Sequence, residues 1–172
     1  MMKKPGFSLA ELIVGLGLFA VVSVTTNILL FSSLRGSRKA AAVAAVRSEG
    51  SYALNSMVGM IRYAQRINGC TSTSVSLVAP DGSDLVYQLD TETSPNTIAS
   101  VSSRQSNLTS SRVEVSVPDT APCGGNLFDC PGERLVKICF AVQTPGGADL
   151  GVTDKAGSGE GIIFQSQISL RN

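Results

Sequence analysis

Gly6-Phe7-Ser8-Leu9-Ala10-Glu11-Leu12, preceded by Lys3-Lys4-Pro5 and followed by an apolar run to Phe31, decides how this chain is read. Between Phe7 and Phe31, Glu11 is the one charged residue. About 20 apolar residues are enough to cross a bilayer, so residues 7–31 suffice for one span. An ionisable side chain inside such a span is costly in lipid, and its presence predicts a function and a pairing group. Two ordinary explanations fall short. A cleavable secretory signal carries a small-residue cleavage site after a shorter apolar core, whereas Gly6 precedes the core here. A plain signal anchor accounts for Lys3, Lys4 and the apolar run, but not for a Glu just after Gly-Phe.

The order of basic leader, Gly6, Phe7, Glu11 and apolar run resembles the N-terminal signal of type IV pilins and type II secretion pseudopilins. The resemblance is specific over residues 3 to about 35. It implies a leader of residues 1–6, cut between Gly6 and Phe7 by a prepilin peptidase that also methylates the new amine of Phe7. It further implies that Glu11, the fifth residue after that cut, pairs with the terminal amine of a neighbouring subunit. Pairing two charges across subunits offsets much of the cost of placing each in lipid. The Pro that members often carry in the later half of the apolar segment is absent, and Ile28 stands near that place.

Orientation has two opposing signals. Arg35, Arg38 and Lys39 after the run outnumber Lys3 and Lys4 before it, which by count alone favours a cytoplasmic body. The family inserts with the leader inside and the body outside, and the four cysteines, all beyond residue 69, suit an oxidising compartment. The expectation is therefore a single-pass protein of the cytoplasmic membrane. Its body, residues 32–172, lies outside and later joins a filament in the periplasm or at the cell surface.

Composition narrows the chemistry. The chain has 172 residues, and one long helix leaves room for a single small domain. Its formal net charge of +1 gives no overall attraction for nucleic acid, and Arg104 and Arg112 lack interleaved aromatics. With 0 His, imidazole acid–base chemistry and Ser-His triads are excluded. Nothing in the pattern predicts an enzyme or a cofactor.

Residues 37–67 read as a continuation of the helix, rich in Ala and without Pro. Val43, Val46, Leu54, Met57, Ile61 and Ala64 recur at helical spacing and predict a core-facing stripe. Asn68-Gly69 reads as the stop. The remainder, about 71–172, predicts an antiparallel sheet. Ser74–Val78 and Leu85–Leu89 flank Pro80-Asp81-Gly82-Ser83-Asp84 as a hairpin. Further strands are expected over 112–117, 134–142 and 161–170, with a weaker one over 98–102. The fold class is thus α+β, a long N-terminal helix packed on a small antiparallel sheet, as in pilins.

Cys70, Cys123, Cys130 and Cys139 contain no C-x-x-C pair, which argues against zinc and thioredoxin-like sites. Three pairings are possible. The short loop Gly124–Asp129 favours Cys123–Cys130, leaving Cys70 for Cys139. Asp149, Asp154 and Glu160 in a Gly-rich segment are weak calcium candidates of the kind some pseudopilins use, although a solvated loop explains them as well. Asn107-Leu108-Thr109 matches a glycosylation sequon, a common chance pattern.

Together these readings predict a minor pilin or pseudopilin that acts in initiation or at the tip of a type IV pilus or secretion pseudopilus. Its expected partners are the prepilin peptidase, other subunits through the N-terminal helix, the inner-membrane assembly platform and membrane lipid. A tip binding module for adhesion or DNA uptake, and a non-assembling anchored domain, are the alternatives.

Overall fold

The structure is a computed structural model and describes residues 9–132, 134–145 and 161–171. One helix, α1 (Leu9–Tyr63), is followed by strands β1 (Arg66–Cys70), β2 (Ser74–Val78), β3 (Asp84–Asp90), β4 (Thr97–Val101) and β5 (Gln105–Asn107). Strands β6 (Glu114–Ser116), β7 (Phe128–Gly132), β8 (Leu135–Gln143) and β9 (Ile162–Ser169) complete the described elements. The arrangement is α+β, as the sequence predicts. Two units divide the chain, one up to Ala41 and one from Ala42 on.

The first unit is helical throughout its described part, with no interruption near Ile28. Its apolar side chains, among them Leu12, Phe19, Leu29 and Phe31, are exposed. It is long and apolar enough to cross a membrane. Polar residues inside the run are satisfied locally. Thr25 Oγ1 donates to Val22 O at 2.9 Å, Thr26 Oγ1 to Val22 O at 2.8 Å, and Asn27 Nδ2 to Ser23 O at 2.7 Å. Such back-bonding removes most of the penalty for a hydroxyl or amide in lipid.

In the second unit, α1 presents Val46, Gly50, Ala53, Met57 and Ile61 as a buried stripe, continued by Ala64 beyond its end. Val46, Met57, Ile61 and Ala64 belong to the predicted stripe; Gly50 and Ala53 extend it, while Val43 and Leu54 sit partly buried at its flanks. The stripe shares one core with Val75 and Leu77 of β2, Leu85 and Tyr87 of β3, Ile98 of β4, and Phe140 and Val142 of β8.

The strands form two antiparallel sheets rather than one. The first is a meander, β1-β2-β3-β4-β5. In the second, β9 pairs with β8 along its whole length, Leu135 opposite Ser169 through Val142 opposite Ile162. The other edge of β8 is shared. β7 takes its start, with Gly132 opposite Leu135, and β6 takes its end, with Glu114 opposite Gln143. The expected hairpin is present, with Val78 opposite Asp84 and Ser74 opposite Gln88. The strand expected over 112–117 is shorter, Glu114–Ser116, since only that stretch meets β8.

Two further expectations are corrected. The helix ends at Tyr63, and Asn68-Gly69 is no helix stop but part of β1. Immediately after the last turn, Gln65 N donates to Val78 O at 2.8 Å, so pairing with β2 replaces helix propensity. The disulfides are Cys70–Cys130 and Cys123–Cys139 instead of Cys123–Cys130 and Cys70–Cys139. Residues after Cys123 do not close a small ring, because Phe128–Gly132 extends as β7. That extension carries Cys130 toward β1. Cys123 stays in the preceding turn beside β8, where Cys139 N donates to Leu127 O at 2.9 Å.

Candidate functional site

Of the sequence-predicted site, Gly6 and Phe7 lie outside the described residues, and so do Asp149, Asp154 and Glu160. Glu11 is described and stands in the first turn of α1. Its neighbours along the run are aliphatic, and the nearest described charge after it in sequence is Arg35. The segment therefore combines a lipid-compatible surface, internally bonded Thr and Asn side chains, and one carboxylate near the helix start.

All four cysteines are oxidised. Cys123–Cys139 is buried within the second sheet and its preceding turn. Cys70–Cys130 is half-buried and ties the edge of the first sheet to the edge of the second. Among the described residues, no group of three or more Cys, Asp or Glu is placed to hold a metal.

Two polar anchors escape sequence reading. Glu49 on α1 accepts from Ser110 N at 3.0 Å and from Ser110 Oγ at 2.8 Å, fixing the segment between β5 and β6 against the helix. Thr109, part of the sequon, is buried, and its Oγ1 accepts from Ile98 N at 3.1 Å. That hydroxyl thus supports β4, and Asn107 beside it is an exposed strand residue. A residue 61 positions away cannot be paired to Glu49 by any local pattern.

The perturbed titrations are also structural. Burial raises the Tyr87 phenol above its usual range, and a hydrogen bond with Ser56 partly opposes this. The side-chain and backbone hydrogen bonds from Ser83 hold the Asp81 carboxyl below its usual range in the hairpin turn.

A groove of about 610 Å³ lies between β1 and β7, lined by Arg66, Asn68, Cys70, Cys130, Gly132 and Arg134 among others. Its walls come from strands 60 residues apart at the bridging cysteines, which is why no sequence motif announces it. Comparison of the chain with family models, with curated proteins and with solved structures finds no match.

Proposed function

We propose that this protein is a minor pilin or pseudopilin, a membrane-stored subunit that enters a type IV pilus or type II secretion pseudopilus. The observation that carries the reading is Gly6-Phe7 followed, four residues after Phe7, by Glu11, the one carboxylate of the apolar run 7–31. The fold supports it, since the same helix continues into a domain where its later half packs on antiparallel sheet. Cleavage after Gly6 frees an amine on Phe7. In a bundle of such helices, the Glu11 carboxylate of one subunit pairs with that amine of its neighbour, and the aliphatic surface of residues 9–31 packs in the filament core. The two disulfides suit a body outside the cytoplasmic membrane.

Mass spectrometry of sheared surface filaments, compared with the membrane fraction, tests this reading. A trace of chain starting at methylated Phe7 is the expected result. An amount matching the principal subunit makes it a building block instead. An intact leader with no chain in filaments returns it to a plain anchored domain.

A further inference from the structure

The two bridges differ in what surrounds them. Cys70 and Cys130 are both half-buried, and both line the groove of about 610 Å³ between β1 and β7. A cleft of that size admits a small organic thiol. Cys123 and Cys139 are each 7% exposed. A smaller groove of about 360 Å³ reaches Cys139 beside Gln165 and Gln167, but Cys123 does not line it. Disulfides exchange when a thiolate reaches one of the two sulfurs, so access separates a labile bridge from an inert one.

Opening the Cys70–Cys130 bond leaves other ties at this end of the domain. Ser72 O accepts from Leu127 N at 2.8 Å and from Phe128 N at 3.3 Å, joining the turn after β1 to the start of β7. Ile61, Val75, Leu127, Phe128 and Leu170 share one core beneath that junction. β1 also keeps its ladder to β2, from Arg66 opposite Val78 to Cys70 opposite Val75. The second bridge is placed differently. Cys139 lies within β8, opposite Gln165 of β9, and β8 is the strand to which β6, β7 and β9 all pair. Exposing that bridge means disturbing the centre of the second sheet.

We propose that Cys70–Cys130 is a thiol-exchange site, opened in the folded domain by a thiolate that enters through the β1–β7 groove while Cys123–Cys139 stays closed. The incoming sulfur bonds to Sγ of Cys70 or Cys130, and the Sγ–Sγ bond breaks. The departing Sγ keeps the electron pair and takes up a proton. A second thiol then displaces the first from the protein. In sum, two thiols are oxidised to one disulfide and the bridge is reduced to two thiols, and the reverse sequence closes it. Opening removes the disulfide tie between the edges of the two sheets. The thiolate comes from a small thiol or from a protein dithiol, and the chemistry at the bridge is the same. The site does not rest on the filament reading and holds equally for an anchored domain.

The test uses the full chain in detergent micelles with millimolar glutathione at mildly alkaline pH. Samples are quenched with acid, free thiols are alkylated, and each cysteine is followed by peptide mass. Glutathione or alkyl groups should appear at Cys70 and Cys130 about tenfold faster, or more, than at Cys123 and Cys139, because access sets the rate. Circular dichroism should stay unchanged. Amide exchange should rise in residues 66–70 and 128–132 while residues 138–142 remain protected. Low urea should leave the rate at Cys70 and Cys130 flat and accelerate that at Cys123 and Cys139, since an enclosed bridge opens through unfolding. A parallel arm with reduced thioredoxin separates the sources: opening there assigns the site to protein dithiols as well, and opening by glutathione alone assigns it to small thiols. Equal rates at all four cysteines with one steep urea dependence overturn the proposal. So does faster opening of Cys123–Cys139, or no reaction at Cys70 and Cys130 while the domain stays folded.

Discussion

Phe164 of β9 lies directly on the Cα of Gly50 in α1, so that a methyl group built at Gly50 would overlap the ring. The same ring stacks on Phe140 of β8, with centroids 5.6 Å apart and planes inclined by 20°. Gly50 thus provides the close approach by which helix and second sheet share a core.

Gly50→Ala should therefore destabilise the second unit by about 1–3 kcal/mol, the usual cost of forcing extra volume into a packed site. Gly59 gives the contrast. It lies in the same helix with open space where a Cβ would stand, and Gly59→Ala should gain about 0.5–1 kcal/mol from helix propensity. Urea unfolding of both variants, followed by circular dichroism, checks the opposite signs. A destabilised G59A or a neutral G50A contradicts the packing account.

The bridges give a second prediction. Cys70–Cys130 spans 60 positions and Cys123–Cys139 spans 16, so chain entropy assigns them about 4 and about 3 kcal/mol. Non-reducing proteolysis should yield peptides joined as 70–130 and 123–139. The double variant C70S/C130S should lose more stability than C123S/C139S if the entropic term dominates. The reverse order would point to packing around the buried 123–139 bridge.

The helix stripe, the β2–β3 hairpin and the strands around residues 98, 138 and 165 are legible because each follows from a local period or turn. Val46, Met57 and Ile61 announce their burial through spacing alone. Strand β1 is hidden because Asn68-Gly69 carries a stronger stop signal than strand signal, and only pairing with β2 reveals it. Strand β7 is hidden in the same way by Pro131 and Gly132, and the cysteine pairing goes astray with it. The Glu49–Ser110 contact and the β1–β7 groove depend on partners far apart in sequence. The proposed processing signal, by contrast, rests wholly on the sequence.

Removing the Glu49 anchor should loosen the β5–β6 segment. Glu49→Ala leaves Ser110 N and Oγ without their shared carboxylate, costing roughly 1–3 kcal/mol for charge-assisted bonds. Ser110→Ala keeps the Ser110 N bond to Glu49 but removes the hydroxyl's bond to that carboxylate and the one it accepts from Arg112 N at 3.3 Å. A double-mutant cycle should show the two changes to be non-additive, and additivity would deny the direct coupling.

Stability should fall at high pH through Tyr87. Its folded phenol is raised by burial, with the Ser56 hydrogen bond opposing and Tyr52 adding to the shift. The folded state therefore favours the neutral phenol. Its contribution is present in full below the unfolded value of about 10 and is lost as pH rises through the higher folded value. Denaturation midpoints measured from pH 8 to 11 should decline more steeply for the native chain than for Tyr87→Phe, which keeps the ring and removes the titration. Parallel declines would remove Tyr87 from the account.

On the proposed assembly role, Glu11 acts through its charge rather than through its bulk. On that same reading, Glu11→Ala and Glu11→Gln should both be cut after Gly6, because the leader and the Gly6-Phe7 junction are unchanged. Both should accumulate in the membrane fraction as chains starting at methylated Phe7, and both should be depleted from sheared filaments. Glu11→Gln keeps the size and the hydrogen-bonding atoms but cannot neutralise a neighbour's amine, so it distinguishes charge pairing from simple polarity. Quantitative mass spectrometry of the Phe7 peptide in the two fractions supplies the ratio. Filament incorporation of the Gln variant at the level of the native chain would place the pairing interaction elsewhere on the subunit.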